Sequence, residues 1–377
     1  MHIVHIATGL IGGPVVIVGQ LMEMQRAAGH RVTLIYGKTH NGFEAEVAKL
    51  PQGFEMIGLD AGREISLPAD SAAYWLLVEH LRRLKPDVVH MHNSKAGALG
   101  RPACRRLGLR NIYSPHGPAY LRRDMGAIKR AVLYTIEWGL ALFGDQLVAS
   151  SPGEMRAIRF LPGSKHLVPN GVDIDAIRRM AAGAPVKPHA CRFRIALSSR
   201  IWPQKNPEQV ARIATKSPAD WEWCWIGDGP QRDVLDATGR VDVLGWQETP
   251  AVVATIRTAD AYVQASHSEG MPFSLLEAMT LGRPCVVSNV SGNRDLVRPG
   301  ISGFVCNSDE EFLAGLSQLA NDAALRRRLG EGAARTVTNS YSLAMAARKW
   351  SLVYRPLAAQ PAAFRDFVVH PVEEDRI

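Results

Sequence analysis

Short apolar runs alternate with segments of helical periodicity along the first half of the chain. The apolar runs predict β-strands at residues 2–7, 31–37, 54–59, 87–92, 111–116 and 146–151. Helical periodicity fills most of the intervals, for example at 15–28, 71–84, 94–107 and 127–143. Strands that are apolar throughout and separated by helices are typical of a parallel sheet covered on both faces. The first half therefore predicts a doubly wound α/β unit.

The same pattern starts again in the second half. It predicts strands at 192–199, 221–228, 241–246, 259–266, 284–289 and 303–307, and residues 310–360 are mostly helical. A segment rich in Pro, Gly and Ala separates the halves, which gives a domain at 1–168, a linker at 169–190 and a domain at 191–340. A length of 377 residues also favours two domains. Two such domains facing each other would form a cleft, and ligands of these sheets bind beyond the carboxyl ends of the strands.

Composition narrows the class of protein. The five cysteines are scattered and form no Cys-x-x-Cys pair, which predicts neither a disulfide framework nor a structural zinc site and favours a reducing cytosol. The opening MHIVHIATG has the character of a first strand and not of an export signal. The most apolar long stretch, 131–143, is too short to span a bilayer and contains Glu137. We therefore expect a cytoplasmic protein.

The net charge of +8 is unevenly distributed. Between Arg82 and Arg130, 12 Lys/Arg face only two Asp, giving +10, which leaves −2 for the rest of the chain. A basic segment of this kind suits an anionic membrane surface, a nucleic acid or a polyanionic substrate. A solvated basic face without a partner is the plain alternative.

A glycine-containing loop, residues 7–16, follows the first predicted strand. Gly12 and Gly13 would let backbone N–H groups at the start of a helix approach a ligand closely. A dinucleotide-binding fold is the rival interpretation. The spacing G-x-x-G-G departs from G-x-G-x-x-G, however, and the second strand ends at Gly37-Lys38 without the acidic residue that holds a ribose. The sequence thus disfavours NAD or FAD binding.

Three other strand ends carry candidate ligand-facing loops. His116 in SPHGPAY would be presented at the cleft edge, unless it is a buried histidine that caps local backbone. Arg200 and Lys205 in LSSRIWPQKN suit a diphosphate, because Arg binds phosphate oxygens in a fork and Lys acts as a point charge. Gly229 lies in a similar loop, GDGP. Each of these signals is weak alone, since surface Arg and Lys are common.

The stretch SHSEGMPFSLLEA, residues 266–278, carries the most specific pattern. Gly270 and the first-turn amides of a helix that includes Pro272 can line a sugar and a phosphate. Glu269 stays in the preceding loop, and Glu277, deeper in the helix, can reach a second part of the same ligand. Carboxylate oxygens bind sugar and ribose hydroxyls because each accepts hydrogen bonds. The alternative is that Glu269 caps the helix and Glu277 is an ordinary surface residue.

A last candidate loop is SNVSGNRDLV. It predicts a turn at Gly292-Asn293 followed by a helical segment from Arg294 to Val297. The N-terminus of that segment could also face an anion.

Together and in this order, these motifs resemble the retaining group 1 glycosyltransferases, glycosyltransferase family 4, which have the two-domain GT-B fold. The resemblance covers nearly the whole chain through the Gly12-Gly13 loop, PHG, PNGVD, the Arg200/Lys205 pair, GDGP, EGMPFSLLEAM and SGNRDLV. The glutamate motif is the strong signal among them. The resemblance implies two Rossmann-like, doubly wound parallel-sheet domains facing each other across a cleft, with C-terminal helices at about 341–377 packing back on the first domain.

The resemblance also implies a role for each matching residue. Arg200 and Lys205 would neutralise the donor diphosphate. Glu269 would hold donor-sugar hydroxyls and Glu277 the nucleotide ribose, while His116 would approach the donor sugar. The remaining donor-binding positions would be Gly12, Gly13, Gly229, Gly270, Met271, Pro272, Phe273, Ser274 and Leu275.

Two departures from the family pattern leave these candidate ligands in place. Asn206 follows the lysine where glycine is frequent, and Pro14 follows the glycine pair. Asp173-Ile174-Asp175 matches the Asp-x-Asp metal motif of the other major glycosyltransferase fold, but we interpret it as local capping. With Arg and Lys supplying positive charge, we expect no metal and no cofactor besides a nucleotide-diphosphate sugar donor.

The implied activity is that of a hexosyltransferase. It would transfer a sugar with retention from a nucleotide-diphosphate sugar, with uridine as the first expectation and guanosine as the second. The acceptor would be a glycan or a lipid-linked saccharide in bacterial cell-surface polysaccharide biosynthesis. Fixed cations and helix N-termini would stabilise the leaving diphosphate in the transition state.

Alternatives remain open at this point. A nucleotide-sugar epimerase shares the fold, and a non-catalytic sugar- or nucleic-acid-binding module could use the basic face, although the loop residues favour a diphosphate sugar over nucleic acid. Residues 121–144 combine basic residues with an apolar helix. We hypothesise that they dock peripherally on the inner face of the plasma membrane; a core helix preceded by basic residues is the alternative.

Overall fold

A computed structural model of the chain describes residues 1–9, 12–37, 47–48, 50–61, 66–121, 125–183, 191–361 and 364–369. These residues cluster in two compact units, Met1–Asn170 with the chain from Ala344 onward, and Gly171–Leu343. Each unit is built on its own parallel sheet. Some predicted features lie outside the described residues: Leu10 and Ile11 of the glycine loop, Lys38, residues 122–124 of the basic segment, residues 184–190 of the linker and residues 370–377 of the tail.

The first unit contains a seven-stranded sheet in the order β3-β2-β1-β4-β5-β6-β7, with every neighbouring pair parallel. Its strands are β1 (His2–Ala7), β2 (Arg31–Gly37), β3 (Glu55–Leu59), β4 (Val88–His92), β5 (Arg110–Ser114), β6 (Gln146–Ala149) and β7 (Ser164–Leu167). Its helices are α1 (Gly13–Ala27), α2 (Leu67–Leu84), α3 (Ser94–Leu107), α4 (Ala127–Ala141) and α5 (Pro152–Ile158).

The second unit contains a six-stranded parallel sheet in the order β10-β9-β8-β11-β12-β13. Its strands are β8 (Phe193–Ser198), β9 (Trp221–Ile226), β10 (Val241–Val243), β11 (Ala261–Gln264), β12 (Cys285–Ser288) and β13 (Gly303–Cys306). Its helices are α6 (Ile174–Gly183), α7 (Pro207–Lys216), α8 (Arg232–Asp236), α9 (Thr249–Thr258), α10 (Phe273–Thr280), α11 (Ser291–Leu296), α12 (Asp309–Asn321) and α13 (Ala323–Ser340). Helix α14 (Leu343–Tyr354) follows, and from Ala344 it belongs to the first unit.

Both faces of the second sheet are covered, as the continuous apolar runs predict. Successive side chains of a strand point to opposite faces, and β8 divides accordingly: Phe193, Ile195 and Leu197 pack into one hydrophobic cluster and Ala196 into another. Helices α7 and α12 contribute to the first cluster, and α9 and α10 to the second. The predicted doubly wound α/β class is confirmed.

The strand prediction holds except at one position. Every predicted strand is present, usually shortened by one to three residues. The missed strand is β7, with the sequence SKHL, which pairs only with β6 at the edge of the first sheet. Lys165 and His166 interrupt any apolar run there, so hydrophobic patterning gives no signal. The predicted linker, 169–190, is also not simply extended, because it contains helix α6.

Each sheet reverses its strand order at one point, between β1 and β4 and between β8 and β11. Crossovers leave in opposite directions from such a pair, which opens a crevice at the carboxyl ends of the two strands where ligands of open α/β sheets bind. The Gly12 loop follows β1, the Arg200–Lys205 loop follows β8, and Glu269 follows β11. His116 follows β5, the neighbour of β4. The sequence candidates therefore lie at or beside the switch points of their own sheets.

The acidic residue in the apolar stretch 131–143 has a structural explanation. Glu137 is buried on the inner side of α4 and forms a 2.7 Å ion pair with Arg101, which is itself fully buried. Arg101 also lies 4.1 Å over the ring of Tyr113. One charge of the basic segment is thus neutralised internally. Among the described residues, no helix has the length and apolar character needed to cross a bilayer.

Candidate active site

Lys205 and Glu269 form the central contact of the second unit's candidate site. The Lys205 Nζ lies 2.6 Å from Glu269 Oε1, and the Ser266 hydroxyl donates to the same carboxylate oxygen at 2.6 Å. The two charged side chains are only 15% and 7% exposed. Lys205 comes from the loop after β8 and Glu269 from the loop after β11, so this pair ties together the two loops at the switch point. It brings together two of the residues that the sequence singled out.

Asn206 explains how the first of these loops turns. It adopts a left-handed conformation with φ of 58° and is the N-cap of α7, where its side chain accepts from the backbone N–H of Gln209 at 3.3 Å. Asparagine tolerates this conformation better than other non-glycine residues. Its amide also donates to the backbone oxygen of Ala265 at the end of β11 at 3.3 Å. The departure from glycine at this position therefore preserves the turn and adds a second tie between the two loops.

Arg200 lies in the same loop as Lys205 and is partly buried. Its guanidinium carbon lies 5.5 Å from the ring centroid of Trp202, which is 45% exposed. A guanidinium at this distance from an aromatic face makes a cation–π interaction, which helps to fix its position. The loop thus carries two cations at the carboxyl end of β8.

The Glu269-Gly270 backbone is held by close contact with helix α11. The N–H of Gly292 donates to the Glu269 carbonyl at 3.3 Å, and a Cβ placed on Gly292 would lie 2.5 Å from the Gly270 oxygen. The predicted turn at Gly292-Asn293 is therefore wrong: both residues lie in α11, which begins at Ser291. Glycine is needed there for close approach and not for a reversal of the chain. Gly270 itself faces open space.

A buried polar network supports the same loops from below. Asn293 is fully buried; its amide donates to Ser288 Oγ at 3.1 Å, and its oxygen accepts from Gln264 Nε2 at 2.7 Å. The Ser288 hydroxyl donates to the Ser266 carbonyl at 2.6 Å. Fully satisfied networks of this kind fix one arrangement, because a broken member would leave a buried polar group unpaired. The network joins β11, β12 and α11, and Ser266 links it to the Glu269 carboxylate.

Helix α10 places the rest of the glutamate motif. Pro272 is its N-cap and Phe273 its first residue, so the proline precedes the first turn in which the sequence predicted it. No side chain among the described residues caps the helix. Glu269 therefore does not act as the cap. The side chains of Met271 and Leu275 belong to the hydrophobic core, so only their backbone groups can reach a ligand. Ser274, partly exposed, lies 3.5 Å from Gln264 Oε1.

Glu277 differs from an ordinary helix surface residue. Its side chain is only partly exposed, and desolvation by the surrounding protein raises the pKa of its carboxyl group to about 7. No donor among the described residues lies within hydrogen-bond distance of this carboxylate. A buried acid without a partner is costly to the fold and is expected where a ligand supplies the missing hydrogen bonds.

Gly229 has a packing role that the sequence did not reveal. A Cβ at this position would meet the Ile201 carbonyl oxygen at 2.4 Å, and Ile201 N–H donates to the Asp228 carbonyl at 2.9 Å. Gly229 therefore lets the loop after β9 lie against the loop that carries Arg200 and Lys205. Its contact is thus with the backbone of the Arg200–Lys205 loop.

In the first unit, the glycine loop after β1 is tied to the loop after β4. Gly12 has φ of 66° and is the N-cap of α1; Gly13 is the first helical residue, with Pro14 in the first turn. Thr8 Oγ1 donates to Asn93 Oδ1 at 2.9 Å, and the Asn93 amide donates to the Thr8 carbonyl. A Cβ at Gly12 would meet no described residue within 4 Å, and the positive φ is what favours glycine there.

His116 sits in a strained loop that a buried acid holds. Its φ is 50°, unusual for a residue other than glycine, and the next N–H, from Gly117, donates to Glu154 Oε1 at 2.9 Å. The other Glu154 oxygen accepts from the backbone and the hydroxyl of Ser150, each at 2.6 Å. Strain of this kind persists only where the surroundings impose it, often at functional sites. Burial lowers the pKa of His116 to about 4, so its ring is neutral at pH 7.

Three fully buried histidines lie behind His116. His5 on β1 and His90 and His92 on β4 bring nitrogens within 4.8 Å of one another, a spacing that a metal ion could use. Their ring nitrogens are hydrogen-bonded instead, to one another, to Gln25, Ser114, Tyr354 and His116. Sequence reasoning missed these residues, although the i, i+2 spacing of His90 and His92 indicates a shared strand face. The contacts of Glu154 with the His116 loop and of Asn93 with the glycine loop could not be predicted from any sequence motif.

Family models match both halves of the chain. The model described as "Glycosyl transferases group 1" matches residues 191–336, and that described as "Glycosyl transferase 4-like domain" matches residues 12–171. Together they cover every strand except β1 and all the site residues proposed from the sequence. The chain belongs to the group 1 glycosyltransferases and has the GT-B fold. The predicted family and the predicted enzyme class, a glycosyltransferase, are confirmed.

Relatives and solved structures agree with this assignment. UDP-Gal:alpha-D-GlcNAc-diphosphoundecaprenol alpha-1,3-galactosyltransferase of Escherichia coli is 28% identical over 288 residues, 70% of this chain and 74% of the relative. Sulfoquinovosyl transferase SQD2 of Arabidopsis thaliana is 26% identical over 72% of this chain and 57% of the relative. Sucrose-phosphate synthase from Thermosynechococcus elongatus superposes with a TM-score of 0.78 at 18% identity, covering 95% of this chain and 99% of that one. Anabaena HepE in complex with UDP gives 0.77 at 16% identity, with coverage of 94% and 100%.

The contact between Gly292 and Gly270 predicts opposite effects for alanine at the two positions. Gly292→Ala should lower the free energy of unfolding by about 1–3 kcal/mol, because overpacking against a backbone oxygen outweighs the helix-propensity gain of about 1 kcal/mol. Gly270→Ala faces open space without a positive φ, and should change stability by less than about 0.5 kcal/mol. Urea unfolding monitored by tryptophan fluorescence measures both. Equal stabilities of the two variants would contradict the close-packing account.

The raised pKa of Glu277 predicts a pH-dependent cost to the unliganded protein. A carboxyl whose pKa is higher in the folded state stabilises the fold below its unfolded pKa of 4.5, and this contribution is lost as the pH rises through 7. Glu277→Gln should therefore stabilise the protein by about 1–3 kcal/mol at pH 8, with the gain shrinking toward zero below pH 4.5. Urea unfolding at a series of pH values measures this. A gain that does not vary with pH would contradict the proposed burial of charge.

Proposed function

We propose that this protein is a retaining, metal-independent hexosyltransferase that uses a UDP-sugar, or less favourably a GDP-sugar, as donor. The Lys205–Glu269 pair carries the proposal. It places a cation suited to a diphosphate 2.6 Å from a carboxylate suited to sugar hydroxyls, at the switch point of a parallel sheet. Arg200, on the same loop, adds the second cation, and Glu277, without a protein partner among the described residues, is assigned to the ribose hydroxyls.

The choice of donor rests on two relatives. The Escherichia coli relative is named for UDP-Gal, and Anabaena HepE was solved with UDP. A uridine donor for this chain is our inference from them. The side chains that would distinguish bases are not singled out by the sequence motifs, so GDP remains the second candidate.

The proposed chemistry follows from the charges. Cleavage of a sugar–phosphate bond develops negative charge on the leaving diphosphate and positive charge on the sugar. Lys205 and Arg200 would stabilise the leaving group from fixed positions, which costs no reorganisation during the reaction. The acceptor would attack from the face that the diphosphate leaves, with a phosphate oxygen taking the acceptor proton, so that configuration is retained. Glu269 and the amides after Gly270 would hold the sugar in place.

Two side-chain cations support metal independence. They supply at the diphosphate the positive charge that a divalent ion supplies in other transferases. The Asp-x-Asp motif is otherwise engaged at its first residue: Asp173 Oδ1 accepts from the N–H of Ala176 at 2.9 Å, the capping that we expected.

For the acceptor we propose a lipid-linked saccharide used in cell-surface polysaccharide biosynthesis. The Escherichia coli relative acts on a diphosphoundecaprenol-linked sugar, as its name states. In the first unit, α4 turns an apolar stripe to solvent: Ile128, Val132 and Ile136 are 83%, 53% and 51% exposed, next to the exposed Lys129. An apolar stripe beside an exposed cation favours peripheral docking on an anionic membrane over a helix buried on all sides.

Donor binding should depend on Lys205. We expect Lys205→Met to weaken UDP binding about 10- to 100-fold, because a charge-assisted hydrogen bond to the diphosphate is lost. Lys205→Arg should retain most of the affinity. Isothermal titration calorimetry with UDP, GDP and ADP measures affinity and base preference together, and transfer activity should survive excess EDTA.

A matched control is Lys216→Met, which removes an exposed lysine from α7, close in sequence but outside the loop. It should bind UDP like the unmodified protein. Equal affinities of the Lys205→Met and Lys216→Met variants would refute the assigned diphosphate site. Conversion of the donor into an isomeric nucleotide sugar without acceptor would favour the epimerase alternative.

Membrane docking should depend on the α4 stripe. The double variant Ile128→Ser/Val132→Ser should bind vesicles containing anionic phospholipid at least about tenfold more weakly at low salt, because each buried aliphatic side chain contributes about 1.5–3 kcal/mol. The control Ile301→Ser/Leu352→Ser removes two other exposed aliphatic side chains, 50% and 64% exposed, outside α4. Vesicle co-sedimentation compares the two. No binding by the unmodified protein, or equal loss in both variants, would contradict docking through α4.

A further inference from the structure

A continuous chain of hydrogen bonds leads from helix α1 through the sheet to His116. Gln25 Oε1 lies 2.8 Å from His5 Nε2, His5 Nδ1 lies 2.9 Å from His92 Nε2, and His92 Nδ1 lies 2.9 Å from His116 Nε2. Gln25, His5 and His92 are fully buried. His5 and His92 each use both ring nitrogens in this chain, and His116 uses one. His116 is also the residue that the sequence proposed as a donor contact.

All three rings are neutral at pH 7. Desolvation lowers the pKa of His5 to about 4 and that of His116 to about 4, and it lowers the pKa of His92 well below its ordinary value. A neutral imidazole carries one N–H and one lone pair. Each link in the chain therefore holds a single proton, and the direction of one link fixes the direction of the next.

Gln25 sets that direction. With its carboxamide oxygen toward His5 Nε2, His5 donates through Nε2 and accepts at Nδ1. His92 then donates through Nε2 and accepts at Nδ1, and His116 donates through Nε2. The remaining ring nitrogen, His116 Nδ1, is left with a lone pair and with no hydrogen-bond partner among the described residues.

His90 lies next to this chain but makes no hydrogen bond to its members among the described residues. Its Nδ1 lies 2.6 Å from the Tyr354 hydroxyl and its Nε2 lies 2.8 Å from Ser114 Oγ. Both of its nitrogens are therefore occupied, which leaves the direction of the chain to Gln25. Glu154 independently holds the backbone at Gly117, so the main chain next to His116 is fixed as well as its ring.

We infer that Gln25, His5 and His92 are positioning residues that hold His116 in the Nε2–H tautomer, so that its Nδ1 lone pair can accept a hydrogen bond from a hydroxyl group of a bound sugar. The inference rests on the proposed function for the identity of the ligand. The tautomer itself depends only on the hydrogen-bond chain.

The tautomer can be measured directly in the unliganded protein. In chain uniformly ¹⁵N-labelled at histidine, long-range ¹H–¹⁵N correlation spectra distinguish a protonated from an unprotonated ring nitrogen, and the His116→Gln variant assigns the signals. We expect His116 to be protonated at Nε2 and unprotonated at Nδ1. A proton on Nδ1, or an equal mixture of the two tautomers, would overturn the inference whether or not the protein transfers sugar.

Two substitutions at Gln25 test the direction of the chain. Gln25→Glu keeps an acceptor facing His5 while its carboxylate is ionised and His5 is neutral, so at alkaline pH it should preserve the His116 tautomer and donor KM. Gln25→Met has similar volume but no acceptor, so the tautomer should become mixed and kcat/KM for the donor should fall about three- to tenfold, as expected for one misdirected hydrogen bond. Thermal unfolding confirms that both variants are folded.

The outcomes separate the two claims. An unchanged His116 tautomer in Gln25→Met would overturn the relay. A mixed tautomer with unchanged kcat/KM would overturn its role in transfer. Failure of the proposed function gives a different result: the unmodified protein does not bind UDP, while His116 still has the expected tautomer.

Discussion

The ion pair between Lys205 and Glu269 is the interaction on which the second unit's site depends. Its 2.6 Å contact joins the loops that follow β8 and β11, the two strands at which the sheet reverses its order. Asn206 bridges the same loops through the Ala265 carbonyl, and Gly292 packs against Gly270 from α11. A lysine and a glutamate held this way are already placed before any ligand arrives, which is the condition for electrostatic stabilisation of a charged leaving group.

Polar residues inside the two cores stabilise the loops at the carboxyl ends of the strands. In the second unit, Asn293, Gln264 and Ser288 form a satisfied network behind Glu269. In the first, the histidines of β1 and β4 occupy positions where a parallel sheet would ordinarily bury Val or Ile. Polar groups in a low-dielectric core are costly unless satisfied, and both sets are hydrogen-bonded. These polar residues give up some apolar packing, and their hydrogen bonds fix the orientation of the loops at the strand ends.

The sequence predicts the architecture well because periodicity alone determines it. Continuous apolar strands separated by helices give the parallel sheets, and the edge strand SKHL escaped only because it is polar. The placement of the candidate residues was predictable where a motif puts a charged residue in the loop after a strand, as for Arg200, Lys205 and Glu269. It was not predictable where tertiary contact decides the role. The 2.5 Å approach behind Gly292, the packing of Gly229 against Ile201, the acid that holds the His116 loop and the direction of the histidine chain all depend on residues distant in sequence.

Crystallography with a bound UDP-sugar tests the central claim most directly. The account predicts the diphosphate within hydrogen-bond distance of the Lys205 ammonium and the Arg200 guanidinium, with ribose hydroxyls on the Glu277 carboxylate. Nucleotide density away from the carboxyl ends of β8 and β11, with both cations turned from it, would contradict the account.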